Sequence, residues 1–283
     1  MTSQNFDVIK SSGDRAKFSF TKLRKSLYSS GANKEVVQKI MDTVRDELYQ
    51  GITTKEIYNR AFAMLKQHKL VYASKYKLKK AIYELGPTGF PFERFVAAIL
   101  QFSGYTVEVG KTIQGHCVTH EIDVIAKKES NHLLIECKYH SEEGRNCNVK
   151  VPLYIYSRYN DILQKNRIAK VYTPQFSKAW VVTNTRFTLD AIQYGNCVGL
   201  HLLSWDYPKG NALKDRIDRL GLYPITTSTL LTDSEKQFLL SRDVVLFRQL
   251  IKDAFYLDHL GISDKRKEKI MNEVDMLCTL KND

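Results

Sequence analysis

The sequence predicts a multidomain protein of mixed α+β and α/β class. A small β-hairpin with helices comes first, a central αβββαβ unit second and a small helical tail last. Three observations carry this prediction. Two β-branched runs, 121–127 and 133–139, flank the polar run Lys128-Glu129-Ser130-Asn131 and read as a hairpin. Apolar residues recur at helical spacing on both sides of it, as at Val36, Val37, Ile40, Val44 and Leu48. Breaker and polar clusters at Gly86-Pro87-Thr88-Gly89 and 226–229 divide the chain into units of 1–86, 87–225 and 226–283.

The central hairpin holds the chemistry. Residues two apart on a strand share a face, so Glu136 and Lys138 point one way while Ile135 and Cys137 point the other. Glu121 and Asp123 likewise share a face of the preceding strand. Carboxylates from both strands and one lysine thus meet beside Ile122, Val124, Leu134 and Ile135, where unpaired charge is costly. A divalent cation resolves that cost, because hard cations take carboxylate and carbonyl oxygens. A half-buried Glu–Lys pair on an edge hairpin satisfies the same spacing.

Around this hairpin, 91–103 reads as an amphipathic helix with Glu93 near its start, and 105–112 as a strand. Then come a charged loop at 141–148, a tyrosine-rich helix at 152–166, a strand at 179–183, a helix at 188–194 and a strand at 199–205. Tyr154, Tyr156, Arg158 and Tyr159 suit packing, base stacking or phosphate contact.

Asp123 followed by Glu136-Cys137-Lys138 resembles the D…ExK signature of the PD-(D/E)xK nucleases, specifically the Mrr-like restriction endonucleases. Gly89-Phe90-Pro91-Phe92-Glu93, Gly104-Tyr105, the stretch 179–184 with Phe187-Thr188, and 202–205 follow in that family's order. The resemblance covers about 86–223. It implies a restriction-endonuclease-like core that hydrolyses double-stranded DNA with Mg²⁺ or Mn²⁺. By resemblance Asp123, Glu136 and the Cys137 carbonyl hold the metal, and Lys138 positions the attacking water. Glu93 either joins that site or is an acid favoured by its helix dipole. His120-Glu121-Ile122 replaces a commoner Gly-rich lead-in, which leaves His120 and Glu121 without roles.

In the first unit, 6–10 and 16–20 read as strands around Ser11-Ser12-Gly13-Asp14, and helices are expected at 21–30, 34–50, 57–68 and 72–85. Thr53-Thr54-Lys55-Glu56 has the form of a capping box for the third. Val8, Lys10, Gly13, Phe18, Lys22, Leu23 and Ser26, then Gly51-Ile52-Thr53, make this unit similar to the ATP-cone, a regulatory nucleotide-binding domain. The resemblance implies ATP or dATP as an effector, bound at Val8, Lys10, Gly13, Lys22, Leu23 and Ser26, with the two lysines on the triphosphate. Ser11 and Ser12 stand where that family usually has an arginine and an acid, which leaves the choice between ATP and dATP open. A basic helical DNA-binding module is the competing reading.

Positive charge is concentrated N-terminally, where it suits phosphate contact or a plain solvated basic surface, the latter being the commoner meaning of charge alone. Residues 1–86 carry 17 basic and 8 acidic groups, a balance of +9, against +4 for 87–225 and −1 for 226–283. Five cysteines without a CxxC pair point to reduced thiols in a cytoplasm. His116, His120 and His140 lack zinc-finger spacing. No apolar run approaches membrane-spanning length. In the tail, helices are expected from the cap at Thr232 through 241, at 245–255 and at 264–277. Leu260-Gly261-Ile262-Ser263 suits either a helix-hairpin-helix phosphate contact or helix packing. The combined expectation is a Mg²⁺-dependent DNA endonuclease regulated by an adenine nucleotide, acting as a homo-oligomer. The alternative is a nucleotide-responsive DNA-binding regulator with a catalytically inert nuclease fold.

Overall fold

The computed structural model describes residues 6–10, 12–169 and 176–279. Residues 1–5 and Ser11 of the expected first turn lie outside the described residues. Strands β1 (Asp7–Ile9) and β2 (Arg15–Lys17) pair antiparallel. They lead into α1 (Phe20–Ser29), α2 (Lys34–Asp46), α3 (Thr54–His68) and α4 (Leu70–Tyr83). Ser19, Asn33 and Thr53 cap the first three, each accepting from the backbone N–H three residues on. Such caps satisfy donors that the helix itself cannot. The second helix stops at Asp46, short of the expected residue 50. Leu48 instead turns inward and Gly51 donates to the Asp7 carbonyl at 2.8 Å, tying this turn to β1.

After α5 (Phe90–Phe102) comes the central sheet, with β3 (Thr106–Gln114), β4 (Thr119–Lys128) and β5 (Asn131–Lys138) antiparallel. Glu129-Ser130 alone forms the hairpin turn, Glu129 at φ 52°, and Lys128 and Asn131 extend the strands. A short strand β6 (Asn146–Cys147) precedes α6 (Lys150–Ala169). The chain continues through β7 (Lys178–Thr183), β8 (Arg186–Phe187), α7 (Leu189–Cys197), β9 (His201–Leu203) and α8 (Leu213–Leu220). The sheet order is β3-β4-β5-β7-β9, the last three parallel, while β6 pairs with β8 apart from it. Helix α8 was not expected. Helix α5 packs on one face with Val124, Ala126, Leu133 and Ile135. On the other face, Ile155 and Ile162 of α6 pack with Ile125, Leu134 and Val181.

The tail holds a 3₁₀ turn at Ile225–Thr227 and helices α9 (Asp233–Ser241), α10 (Phe247–Lys252), α11 (Phe255–His259) and α12 (Asp264–Cys278). The expected helix over 245–255 is two helices. Asp253 leaves helical geometry and its carboxylate accepts from the Phe255 N–H, which starts the next one. The expected polar linker at 226–229 is also corrected, since Thr226, Thr227 and Ser228 are buried. Their neighbours explain this. Thr226 donates to the Ala81 carbonyl of α4 at 2.6 Å, and Lys77 of α4 donates to the Thr226 carbonyl at 2.9 Å. Glu273 of α12, fully buried, accepts from Ser74 of α4 at 2.6 Å, from Ser228 at 2.7 Å, and from both the N–H and the hydroxyl of Thr229. Leu78, Ile82 and Leu85 join the same core as α5 and the tail. The breaker cluster at 86–89 therefore separates units in sequence but not in packing.

Candidate active site at the fork of the central sheet

Strand β4 pairs with β3 over most of its length but with β5 only from Val124 to Lys128. Asp123 stands where β4 leaves β5. The β3–β4 ladder also skips a pair here, between Val109 opposite Val124 and Lys111 opposite Ile122. The residue across from Asp123 is Gly110 at φ 64°, a conformation that a side chain disfavours. The alternation slips at the same place: Ile122 joins the core under α6, whereas Val124 joins the core under α5. The kink opens a fork, and the freed Cys137 N–H donates to Asp123 Oδ2 at 2.6 Å.

Glu136 lies beside this fork. Arg158 of α6 reaches it through Nη1 at 2.7 Å and gives Nη2 to the Glu121 carbonyl. Lys138 is exposed at the end of β5, where Thr183 holds its carbonyl at 2.7 Å. Glu93, in the first turn of α5, approaches from the opposite face. Burial, followed by the charges of Asp123 and Glu121, pushes the Glu93 carboxyl up to about 7. Burial and then Asp123 push Glu136 up to about 7 against the opposing pull of Arg158. Asp123 is also raised by burial, which outweighs the Cys137 N–H and Arg158. Burial opposes the charged form of a carboxylate, and nearby carboxylates oppose it further. The Cys137 thiol, raised well above its ordinary range by burial, leaves only its backbone available to the site.

Among the described residues, no group of three or more His, Cys, Asp or Glu already stands ready to hold a metal ion. The local cause is visible: Glu136 is engaged by Arg158, and Asp123 by the Cys137 N–H. His120 is occupied elsewhere, bonded to Asp161 at 2.7 Å. Burial, with Lys138 and Arg145, lowers the pKa of His140. Its backbone is clamped by Asn184, which accepts from the His140 N–H at 2.9 Å and donates to its carbonyl at 2.7 Å. Arg186, expected near the site, pairs with Asp206 at 2.7 Å.

One hydrogen bond ties the end of β5 to the first unit. Tyr139 donates through its hydroxyl to the Tyr83 carbonyl at the end of α4, at 2.7 Å. Beyond it, Gly144 approaches the first hairpin turn so closely that a Cβ there would sit 3.9 Å from Ser12 Cβ. In that turn Gly13, at φ 84°, donates to the Lys10 carbonyl at 2.9 Å. Lys10, Lys22 and Ser26 are exposed, whereas Val8 and Leu23 are core residues that can only support a ligand from behind.

The sequence pattern named both carboxylate strands and Lys138. It listed Arg158 among residues for packing or phosphate contact, but nothing local tied it to Glu136. Tyr139 carried no signal beyond its place after Lys138.

This arrangement, a hairpin-and-helix module packed into a mixed α/β unit with a helical tail, defines the class. Residues 6–84 match the ATP cone domain. Residues 223–278 match the domain described as AF1548-like, C-terminal. An uncharacterized protein of Archaeoglobus fulgidus is 31% identical over 180 residues, which cover 63% of this chain and 97% of the relative. The chain belongs to the family of that archaeal protein. A crystal structure titled as that of a protein of unknown function, AF1548, is similar at 27% identity with a TM-score of 0.53. It spans 69% of this chain and 98% of its own. Among the described residues, no helix is long and apolar enough to cross a membrane.

Proposed function

We propose that the central unit is an Mrr-like, PD-(D/E)xK metal-dependent DNA endonuclease whose activity is set by adenine nucleotide on the cone. The observation that carries this reading is Asp123 at the fork, held by the Cys137 N–H and adjoining Glu136, with Lys138 at the end of the same strand. Two carboxylates that burial disfavours as anions, with a neighbouring backbone carbonyl, offer oxygen donors of the kind hard divalent cations take. Asp123, Glu136 and the Cys137 carbonyl would hold Mg²⁺ or Mn²⁺. When bound, the ion would polarise a phosphoryl oxygen and acidify a water. Lys138 orients the attacking water through its ammonium and offsets charge developing on the phosphate. Glu93, titrating near 7, accepts a proton at its carboxylate at neutral pH.

One contact supports nucleotide control. The Tyr139 hydroxyl, one residue past Lys138, bonds the Tyr83 carbonyl at the end of α4. A nucleotide at Lys10, Gly13 and Lys22 thus has a path to the catalytic strand. The test is cleavage of duplex DNA with Mg²⁺ or Mn²⁺, with and without ATP or dATP, beside Lys138→Ala. Metal-dependent cutting that the variant loses supports the enzyme, and a nucleotide effect supports the coupling. Light scattering with and without nucleotide tests the homo-oligomer and its response.

One observation favours the second reading, a nucleotide-responsive DNA-binding regulator with an inert nuclease fold. Arg158 already neutralises Glu136. A DNA shift without divalent ion, and no cutting of plain, methylated or branched duplex, would establish that reading instead.

A further inference from the structure

Arg158 has an unusual set of partners. Its side chain is only 12% exposed, yet its guanidinium faces the fork rather than the core. One terminal nitrogen holds Glu136 at 2.7 Å and the other holds the Glu121 carbonyl. Its Nε is buried without a hydrogen-bond partner. A guanidinium presents five donors in a planar fork, and a buried donor left unpaired is costly. Beside it stands Tyr154, one helical turn earlier on α6, with the guanidinium carbon 5.4 Å from its ring centre. Tyr154 is 61% exposed, so an exposed aromatic residue lies against a partly unsatisfied, mostly buried cation.

We propose that Arg158 is the phosphate-binding residue of this site and that it exchanges Glu136 for a nucleic-acid phosphate when DNA arrives. Tyr154 is the stacking face beside that phosphate. The inference rests on the nuclease reading above and adds an order of assembly to it. A phosphate offers more oxygens and more charge than one carboxylate, and it matches the guanidinium fork in bidentate geometry. Once the guanidinium turns to phosphate, Glu136 is left at the fork beside Asp123 with its counter-ion gone. It then needs another cation. DNA and a divalent ion therefore bind cooperatively, each raising the affinity of the other by the same factor. Without DNA the Arg158–Glu136 pair stands in for the ion, which accounts for carboxylates that are gathered but not arranged as ligands. A fixed structural ion pair would leave the two affinities independent.

The test uses the full chain in a Lys138→Ala background, which keeps the duplex intact. Free Mn²⁺ is followed by electron paramagnetic resonance with and without a short duplex, and Asp123→Asn corrects for Mn²⁺ held by the duplex alone. The duplex is expected to raise Mn²⁺ affinity about tenfold, equivalent to one exchanged ion pair of modest strength. Arg158→Gln is expected to abolish that enhancement and to tighten Mn²⁺ binding to the free protein. It should also weaken duplex binding at every sequence and lower the salt slope by about 1, as loss of one phosphate contact does. Arg158→Lys keeps the charge without the fork, and partial recovery of duplex affinity is expected from it. Far-UV circular dichroism and melting confirm that each variant is folded. Duplex and Mn²⁺ affinities that are independent, or an enhancement that survives Arg158→Gln, would overturn this inference alone. A full chain that binds Mn²⁺ but no duplex would overturn the nuclease reading itself.

Discussion

Two buried carboxylates divide this molecule between them. Glu273 is fully buried and takes four hydrogen bonds, from Ser74, Ser228 and both donors of Thr229. Glu136 is 17% exposed, and Arg158 is its single hydrogen-bond partner among the described residues, with Asp123 close by. The first is satisfied on every side and closes the joint between α4, the 225–229 segment and α12. The second is short of partners at a place open to ligands. A carboxylate whose needs are met inside the protein stabilises the fold, whereas one whose needs are unmet is available to something that arrives.

The comparison is broken or sharpened first by Glu273→Ala. It takes the acceptor from the Ser228 and Thr229 hydroxyls and the Thr229 N–H, leaving Ser74 its Leu70 carbonyl, and a loss of about 3 kcal/mol or more is expected in urea unfolding. A loss below about 1 kcal/mol would mean that water replaces the carboxylate, and the contrast would fail. Next comes Glu136→Gln, expected to fold as stably as the wild type while lowering metal-dependent cleavage at least about a hundredfold. Substantial unfolding by this variant would place Glu136 with Glu273 as a structural group.

The third expectation concerns pH. Glu93 and Glu136 have folded values near 7 against 4.5 in the unfolded chain, so the folded state binds protons more tightly. Their contribution is fully present below about pH 4.5 and is lost as pH rises through 7. The difference in melting temperature between wild type and a Glu93→Gln, Glu136→Gln double variant should therefore shrink or reverse sign between pH 5 and 8, with the wild type losing ground. A pH-independent difference would show that these carboxyls titrate normally. The smallest effect is a rise in melting temperature with saturating Mg²⁺ in the wild type, by a few degrees and absent in Asp123→Asn.

Much of this was legible in the chain because it is local. Alternation on the 133–139 run set Glu136 apart from Ile135 and Cys137, but on the 121–127 run it breaks at Asp123, since Ile122 and Val124 join cores on opposite faces; capping chemistry placed Thr53 and Thr232 where they act. What escaped was non-local. Nothing near Glu136 announces a guanidinium 22 residues away on α6. Gly110 looks like any strand glycine until the skipped pair opposite Asp123 gives its positive φ a purpose. The segment 226–229 reads as solvated linker because hydroxyl-rich residues usually are. It is buried because Glu273, 44 to 45 residues on, receives Ser228 and Thr229. Helix 245–255 failed at Asp253, whose carboxylate takes the Phe255 N–H two residues on in a local turn that competes with the helix.

Helix α4 gives Ala73 to the core of the first unit, Leu78 and Ile82, with Leu85 just past its end, to that of the rest, and Ser74 and Lys77 to the tail. The two modules are thus welded rather than tethered, and a protein engineer cannot graft the cone elsewhere by cutting at Gly86. Removing it would take Leu78, Ile82 and Leu85 out of the core they complete and deprive Glu273 of its Ser74 partner. Evolution faced the same constraint in reverse. Any ancestor that acquired the cone had to remodel the receiving surface around one shared helix, so the two halves would have had to change together.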